Sequence, residues 1–260
     1  MRRRTVSSNV TWPGARLFPL YKLLYLARRA TTISREHWPG TWRSHAKFAA
    51  RFPGLPQGIR YSRYCNRVDA LPPAAPAPGE NTDAIALSLD YDGIAVASSD
   101  SLELLKGGAF TAEQFESILE DERRVFDRPT SESSFYCVER PLRDGPLGEA
   151  LLMLFLARQP ALSRLAFKEW LLAQVESAAR KSRSSVGGMT RCTCNLPLHV
   201  PPRSLPFDAI LECWYTDLDA ALRSEPDARL LSVFQDHGRF CDAQRSIALL
   251  AEVCSRWPLP

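Results

Sequence analysis

The sequence predicts an α+β fold made of two copies of one β-α-β-β-α-β unit. Two observations carry this: an internal repeat, and the order of hydrophobic periods within each copy. Leu24-Tyr25-Leu26-Ala27-Arg28 recurs as Leu154-Phe155-Leu156-Ala157-Arg158, an offset of 154 − 24 = 130. Ser34 and Trp38 align with Ser163 and Phe167, and Cys65-Asn66 with Cys194-Asn195, all at 129. Asp83, Asp92 and Ser99 align with Asp208, Asp217 and Ser224 at 125. Matches that keep their order while the offset drifts indicate a tandem duplication of a unit of roughly 115–130 residues, an ordinary domain size.

The elements follow in chain order. Residues 20–28 form an apolar, aromatic run of strand length. Ser34 suits a helix N-cap, with Glu36 in the first turn. Trp38, Trp42, His45, Ala49 and Phe52 then fall at helical steps, until Pro53-Gly54 ends the run. Residues 59–68 read as the second strand. Residues 84–91 read as the third, with Ile85, Leu87, Leu89 and Tyr91 on one face. Helical stretches are predicted near 99–105 and 112–126, and residues 135–142 close the unit as a strand. In the second copy, strands are predicted at 150–158, 189–198, 209–216 and 247–253, with helices at 163–181, 218–223 and 228–236. This order is the ferredoxin-like arrangement.

Both copies carry a Pro-rich stretch between their second and third strands, at 71–79 and 197–206. Neither is therefore the interdomain linker, and the junction falls near Arg143-Asp144-Gly145-Pro146. The expected organisation is a frayed basic tail over 1–16, a first unit over 17–145 and a second over 146–260.

Composition narrows the function. The chain is 45% hydrophobic and 24% charged, which excludes global disorder. No apolar run reaches the roughly 18 residues of a membrane span. A net charge of +4 and a pI near 8.7 fall short of the basic stripe of a nucleic-acid binder. No secretion signal follows the basic start, so a cytoplasmic protein is expected. The seven cysteines are odd in number and lack framework spacing. Cys192-Thr193-Cys194 has no second pair to complete a zinc site. No phosphate-binding glycine loop, H-E-x-x-H or nucleophile elbow is present. Neither a metal nor a cofactor is expected.

Residues 21–29, Ile33-Ser34-Arg35-Glu36-His37-Trp38 and Trp42-Arg43-Ser44-His45 resemble the EthD family. Its pattern is a strand ending in basic residues, a Ser-led helix start, and a Trp with a His three residues later. Trp38 replaces the usual Phe, and the sharp part of the match spans about 25 residues of the first half. The resemblance implies a dimeric α/β barrel, with both halves supplied by one chain and room left for a homodimer. It also implies chemistry on small molecules. Related barrels include cofactor-independent monooxygenases, dehydratases, cyclases, isomerases and accessory proteins of degradation pathways, and the fold alone does not choose among them. The haem-binding branch has no counterpart around His199 or His237.

His45 is the first candidate site residue. It shares the Trp38/Trp42 face, and an imidazole there suits general acid/base work, although a packed core histidine fits the same spacing. The second copy's helix has no histidine, which confines such chemistry to the first half. Asp90, read as a strand end, is the second catalytic candidate, as a base or as the orienter of an imidazolium. Tyr25, Trp42, Tyr61 and Tyr64 offer flat walls for an aromatic or polyketide-like ligand, and each reads equally well as ordinary core. Arg28 suits a substrate carboxylate. The expected function is acid/base dehydration, elimination or isomerisation of a small carbonyl-bearing substrate by a lyase or isomerase. The rivals are a cofactor-independent monooxygenase and a non-catalytic ligand-binding protein.

Overall fold

The computed structural model describes residues 19–52, 58–69, 85–108, 110–181, 188–200, 205–229 and 236–258. The expected tail over 1–16 and the Pro-rich stretch over 71–79 lie outside them. The strands are β1 (Tyr21–Ala27), β2 (Ile59–Arg67), β3 (Ala86–Leu87), β4 (Gly93–Ser99), β5 (Ser134–Arg143), β6 (Ala150–Arg158), β7 (Met189–Pro197), β8 (Ala209–Tyr215) and β9 (Cys241–Trp257). The helices are α1 (Trp38–Ala49), α2 (Ala112–Val125), α3 (Arg164–Lys181), α4 (Leu218–Arg229) and α5 (His237–Phe240).

Antiparallel pairing runs β2-β4-β1-β5-β7-β8-β6-β9, and β9 returns to β2, so eight strands close into a barrel. The short β3 pairs in parallel with Ile247 and Ala248 of β9. The seams between the two halves of the chain are β5–β7 and β2–β9. Setting β3 aside, each half places its second strand beside its third, then its first, then its fourth.

Strand alternation divides the side chains between two surfaces. Leu24, Leu26, Ile94, Phe135, Phe155 and Trp214 fill the barrel lumen. On the outside, Tyr25, Ala27 and Ala95 receive Trp38 and Trp42 of α1. On the other half, Leu152, Leu154 and Leu211 receive Phe167 and Leu171 of α3. Strand β4 reads poorly as a strand because small residues buried on both sides replace alternation. Gly93 begins it for a steric reason: a Cβ there would overlap the Trp42 ring and stand 2.6 Å from the Cys65 carbonyl oxygen. A threonine capping box starts α2, with Thr111 Oγ1 accepting from Gln114 N at 3.2 Å and Thr111 N donating to Gln114 Oε1 at 3.0 Å.

Several expectations are corrected. The third strand of the first half is Gly93–Ser99, not 84–91; among the described residues of that range, 85–91, only Ala86–Leu87 is in a strand. Ser99 consequently ends a strand and does not begin a helix. Ser34 does not cap α1; it accepts from His37 N at 3.3 Å and braces the turn before the helix, with Pro39 tolerated in the first turn. The predicted helix over 218–223 continues to Arg229, and residues 230–235 lie outside the described set. β9 is far longer than predicted, at 17 residues.

The repeat alignment also shifts. Asp92 N donates to Ala27 O at 2.7 Å while its carboxylate accepts from Arg29 N at 2.9 Å. Asp208 N donates to Leu156 O at 2.7 Å while its carboxylate accepts from Arg158 N at 3.4 Å. Asp92 therefore corresponds to Asp208, not to Asp217, and Arg29 rather than Arg28 corresponds to Arg158. Asp217 is the cap of α4, accepting from Ala220 N at 2.7 Å. Cys65 points into the lumen and Cys194 points outward, so the Cys-Asn match is one residue out of register.

Candidate functional site

The site begins with the spacing of α1. Trp38, Trp42 and His45 are four and three residues apart, so one helical face carries all three against the outer surface of β1, β2 and β4. Trp38 and Trp42 stack with ring centroids 4.9 Å apart, and Trp38 Nε1 donates to Asp92 O at 3.1 Å. One turn further, His45 is 3% exposed, and its Nδ1 lies 2.6 Å from Asp121 Oδ2 of α2. Arg124 Nη2 donates to the other oxygen of Asp121 at 2.6 Å.

Burial depresses the His45 pKa, and Asp121 opposes that depression without overcoming it. Burial would raise the Asp121 pKa, but the bonds from Arg124 and His45 hold it below the usual range. The resting pair is a neutral imidazole facing a carboxylate. Because the carboxylate accepts at Nδ1, that nitrogen carries the proton, and Nε2 is the basic atom.

Aromatic rings surround the pair. Phe126 and Tyr64 stand edge-on to His45, with centroids at 5.2 and 6.4 Å. The Tyr25 and Tyr64 hydroxyls are hydrogen-bonded to each other, and burial pushes Tyr64 up to about 12 and Tyr25 well above its ordinary value. Glu122, raised by burial, accepts from Thr130 Oγ1 at 3.0 Å. His45, Trp42, Tyr25 and Tyr64 thus come together, as four of the predicted site residues.

The other three do not join them. Asp90 lies in the exposed link between β3 and β4 rather than at a strand end, and its backbone carbonyl accepts from Arg28 Nε at 2.8 Å. The carboxylate beside the imidazole belongs to Asp121. Arg28 lies over the Tyr91 ring at 5.4 Å and 3.6 Å from Asp127, on a small cleft of about 50 Å³. Tyr61 is three residues from Tyr64 on one strand, so it faces the opposite way, into the lumen. His45 lines neither this small cleft nor the open groove of about 900 Å³ bounded by Arg35, Arg43, Asn66, Arg67 and Cys254.

In the lumen Tyr61 meets a charged cluster that the sequence reading missed. Lys22 Nζ lies 2.6 Å from Glu212, 2.8 Å from Glu139 and 3.3 Å from Thr193 Oγ1. Asn195 Nδ2 and Trp214 Nε1 also donate to Glu212, at 2.8 and 2.7 Å, and Arg191 pairs with Glu139. Burial alone would lower Lys22 and raise Glu212. Their mutual attraction reverses both, so Lys22 is held above its ordinary value and Glu212 below it. The signal was present in the sequence as single charges inside otherwise apolar strands, Lys22 in β1 and Glu212 in β8. Among the described residues, no group of three or more His, Cys, Asp or Glu side chains is placed to hold a metal ion. Among the described residues no helix is long and apolar enough to cross a membrane.

No protein-family model matches the chain, and no curated protein matches it. Solved structures do. A candidate monooxygenase from Fusobacterium nucleatum superposes with a TM-score of 0.55 at 10% identity, covering 92% of this chain and 94% of that one. An anthrone oxidase-like protein gives 0.53 at 12% identity, covering 92% of each chain. A candidate monooxygenase from Lactobacillus acidophilus gives 0.52 at 9% identity, covering 92% and 95%. The chain shares the fold of these proteins over nearly its whole length.

Proposed function

We propose that the first half is the catalytic half of a small-molecule enzyme working by proton transfer, with His45 as general acid/base and Asp121 as its orienter. The observation that carries this reading is the buried 2.6 Å contact between His45 Nδ1 and Asp121. It fixes the tautomer, and the lowered pKa leaves Nε2 unprotonated and able to accept a proton, as general-base chemistry requires. Tyr25, Trp42 and Tyr64 suit an aromatic, polyketide-like or other carbonyl-bearing substrate. The reaction class is dehydration, elimination or isomerisation, without a nucleotide or metal cofactor, as the motif-poor sequence predicts. The role expected of Asp90 passes to Asp121.

A second reading is supported by the names of the structural neighbours. The same pair would deprotonate an oxidisable ring that then reacts with oxygen, making the protein a monooxygenase. Oxygen uptake during turnover of an aromatic substrate panel separates the two readings. In either case His45→Ala lowers turnover by about 10²–10⁴-fold, the usual value of a positioned acid/base. Unchanged turnover with a lowered melting temperature would make His45 a packing residue and the protein a binding or accessory one.

We also read the halves as duplicated ferredoxin-like units of EthD-like type, the second lacking the histidine. The shared strand order and the matching aspartate clamps at Asp92 and Asp208 support that reading.

A further inference from the structure

We propose that Cys192 and Cys213 form a peroxide-responsive dithiol/disulfide pair on the outer face of the second half. Cys192 of β7 stands directly opposite Cys213 of β8 in the strand register, and their sulfurs are 3.4 Å apart. Opposed residues of antiparallel strands have Cα atoms about 4.5–5.5 Å apart. That lies within the roughly 4.4–6.8 Å span of disulfides. Closing the bond takes side-chain rotation, not strand movement.

The two thiols are unequal. Cys192 is partly exposed, whereas Cys213 is 5% exposed. The contact with Cys192, with burial added, holds the Cys213 thiol protonated. Exposure ranks them, since peroxide from solvent reaches Cys192 before Cys213. Cys192 is therefore the entry thiol and Cys213 the resolving one. Cys65, Cys137, Cys194 and Cys241 are buried, and burial pushes Cys254 up to about 11.

The chemistry balances with hydrogen peroxide as oxidant. The Cys192 thiolate attacks one peroxide oxygen; an S–O bond forms, the O–O bond breaks, and the leaving hydroxide takes up the thiol proton as water. The Cys213 sulfur then attacks the sulfenic sulfur of Cys192. An S–S bond forms, the S–O bond breaks, and a second water leaves. Two thiols lose two electrons and two protons, and one peroxide becomes two waters.

The test uses the full chain, reduced, freed of reductant and treated with hydrogen peroxide. Thiol counting and non-reducing peptide mapping should show two of the seven thiols lost and one linkage, Cys192 to Cys213. In Cys213→Ser, and in Cys213→Ala should the serine variant misfold, dimedone should trap a sulfenic acid at Cys192. In Cys192→Ser, Cys213 should stay reduced. An intact Cys192, a linkage elsewhere, or sulfinic acid on Cys192 beside a free Cys213 in the unaltered chain overturns the proposal.

Discussion

Lys22 and Glu212 touch at 2.6 Å across the lumen although 190 residues separate them, and neither side chain reaches solvent. One lies in the first half of the chain and the other in the second, so their pairing measures how well the halves fit. Removing one partner of a buried pair typically costs about 3–5 kcal/mol, because it strands the other charge. Lys22→Met should therefore lose stability on that scale in urea titration. Glu212→Gln should lose less, since Glu139 still neutralises Lys22. Equal stability of Lys22→Met and the parent would refute a structural role for the cluster.

Acid should weaken the fold in two stages. His45 is depressed in the folded protein, so its contribution is complete above its ordinary pKa, about 6.5, and declines as pH falls below that. Glu212 and Asp121 are also depressed, and their contributions decline only below the ordinary carboxylate range. Melting temperature against pH should show both stages, and His45→Gln should remove the upper one. A parent profile that stays flat from pH 7 to pH 5 would contradict the depressed imidazole.

Two glycines should respond in opposite directions. A Cβ at Gly93 would overlap Trp42 and crowd the Cys65 carbonyl, so Gly93→Ala should cost about 1–3 kcal/mol as overpacking does. A Cβ at Gly40, in the first turn of α1, would meet nothing within 4 Å. Gly40→Ala should stabilise by about 0.5–1 kcal/mol through helix propensity and a less free unfolded chain. Paired thermal melts read both signs.

The aspartate clamps should rank by burial. Asp92 is 3% exposed, pairs with Arg29 and lies 3.7 Å from Arg35. Asp208 is less buried, lying 3.4 Å from Arg158 and 2.7 Å from Arg164. Asp92→Asn should lose about 1.5–3 kcal/mol, as charged hydrogen bonds do when removed, and Asp208→Asn less. The reverse order in denaturant titration would mean that Asp208 holds the tighter joint.

Much of the fold was legible in the sequence because its outer faces are ordinary. The Trp38/Trp42/His45 stripe and the apolar run over residues 20–28 announce their elements. Strand β4 was not legible, because Gly93-Ile94-Ala95-Val96-Ala97 is buried on both sides and shows no period. The period of two just upstream attracted the strand assignment instead. Half of the candidate pair was visible as His45. Asp121 was hidden among the charges of α2, since nothing in linear order separates a carboxylate aimed at a neighbouring helix from one in water. Tyr61 and Tyr64 were grouped by chemistry, and strand alternation put them on opposite sides of the wall.

Because both halves lie on one polypeptide, the barrel is free of a rule that governs barrels made by identical subunits. Across a true two-fold axis every lumen residue recurs at the symmetry-related position, so a lysine on one side demands a second lysine on the other. Here the position that corresponds to Lys22 in the second half is Leu151, which lies in the apolar part of the lumen. One uncopied cation can then be neutralised by carboxylates drawn from both halves. The covalent link between the halves also makes closure independent of dilution, since each half always has its partner at the effective concentration set by the chain.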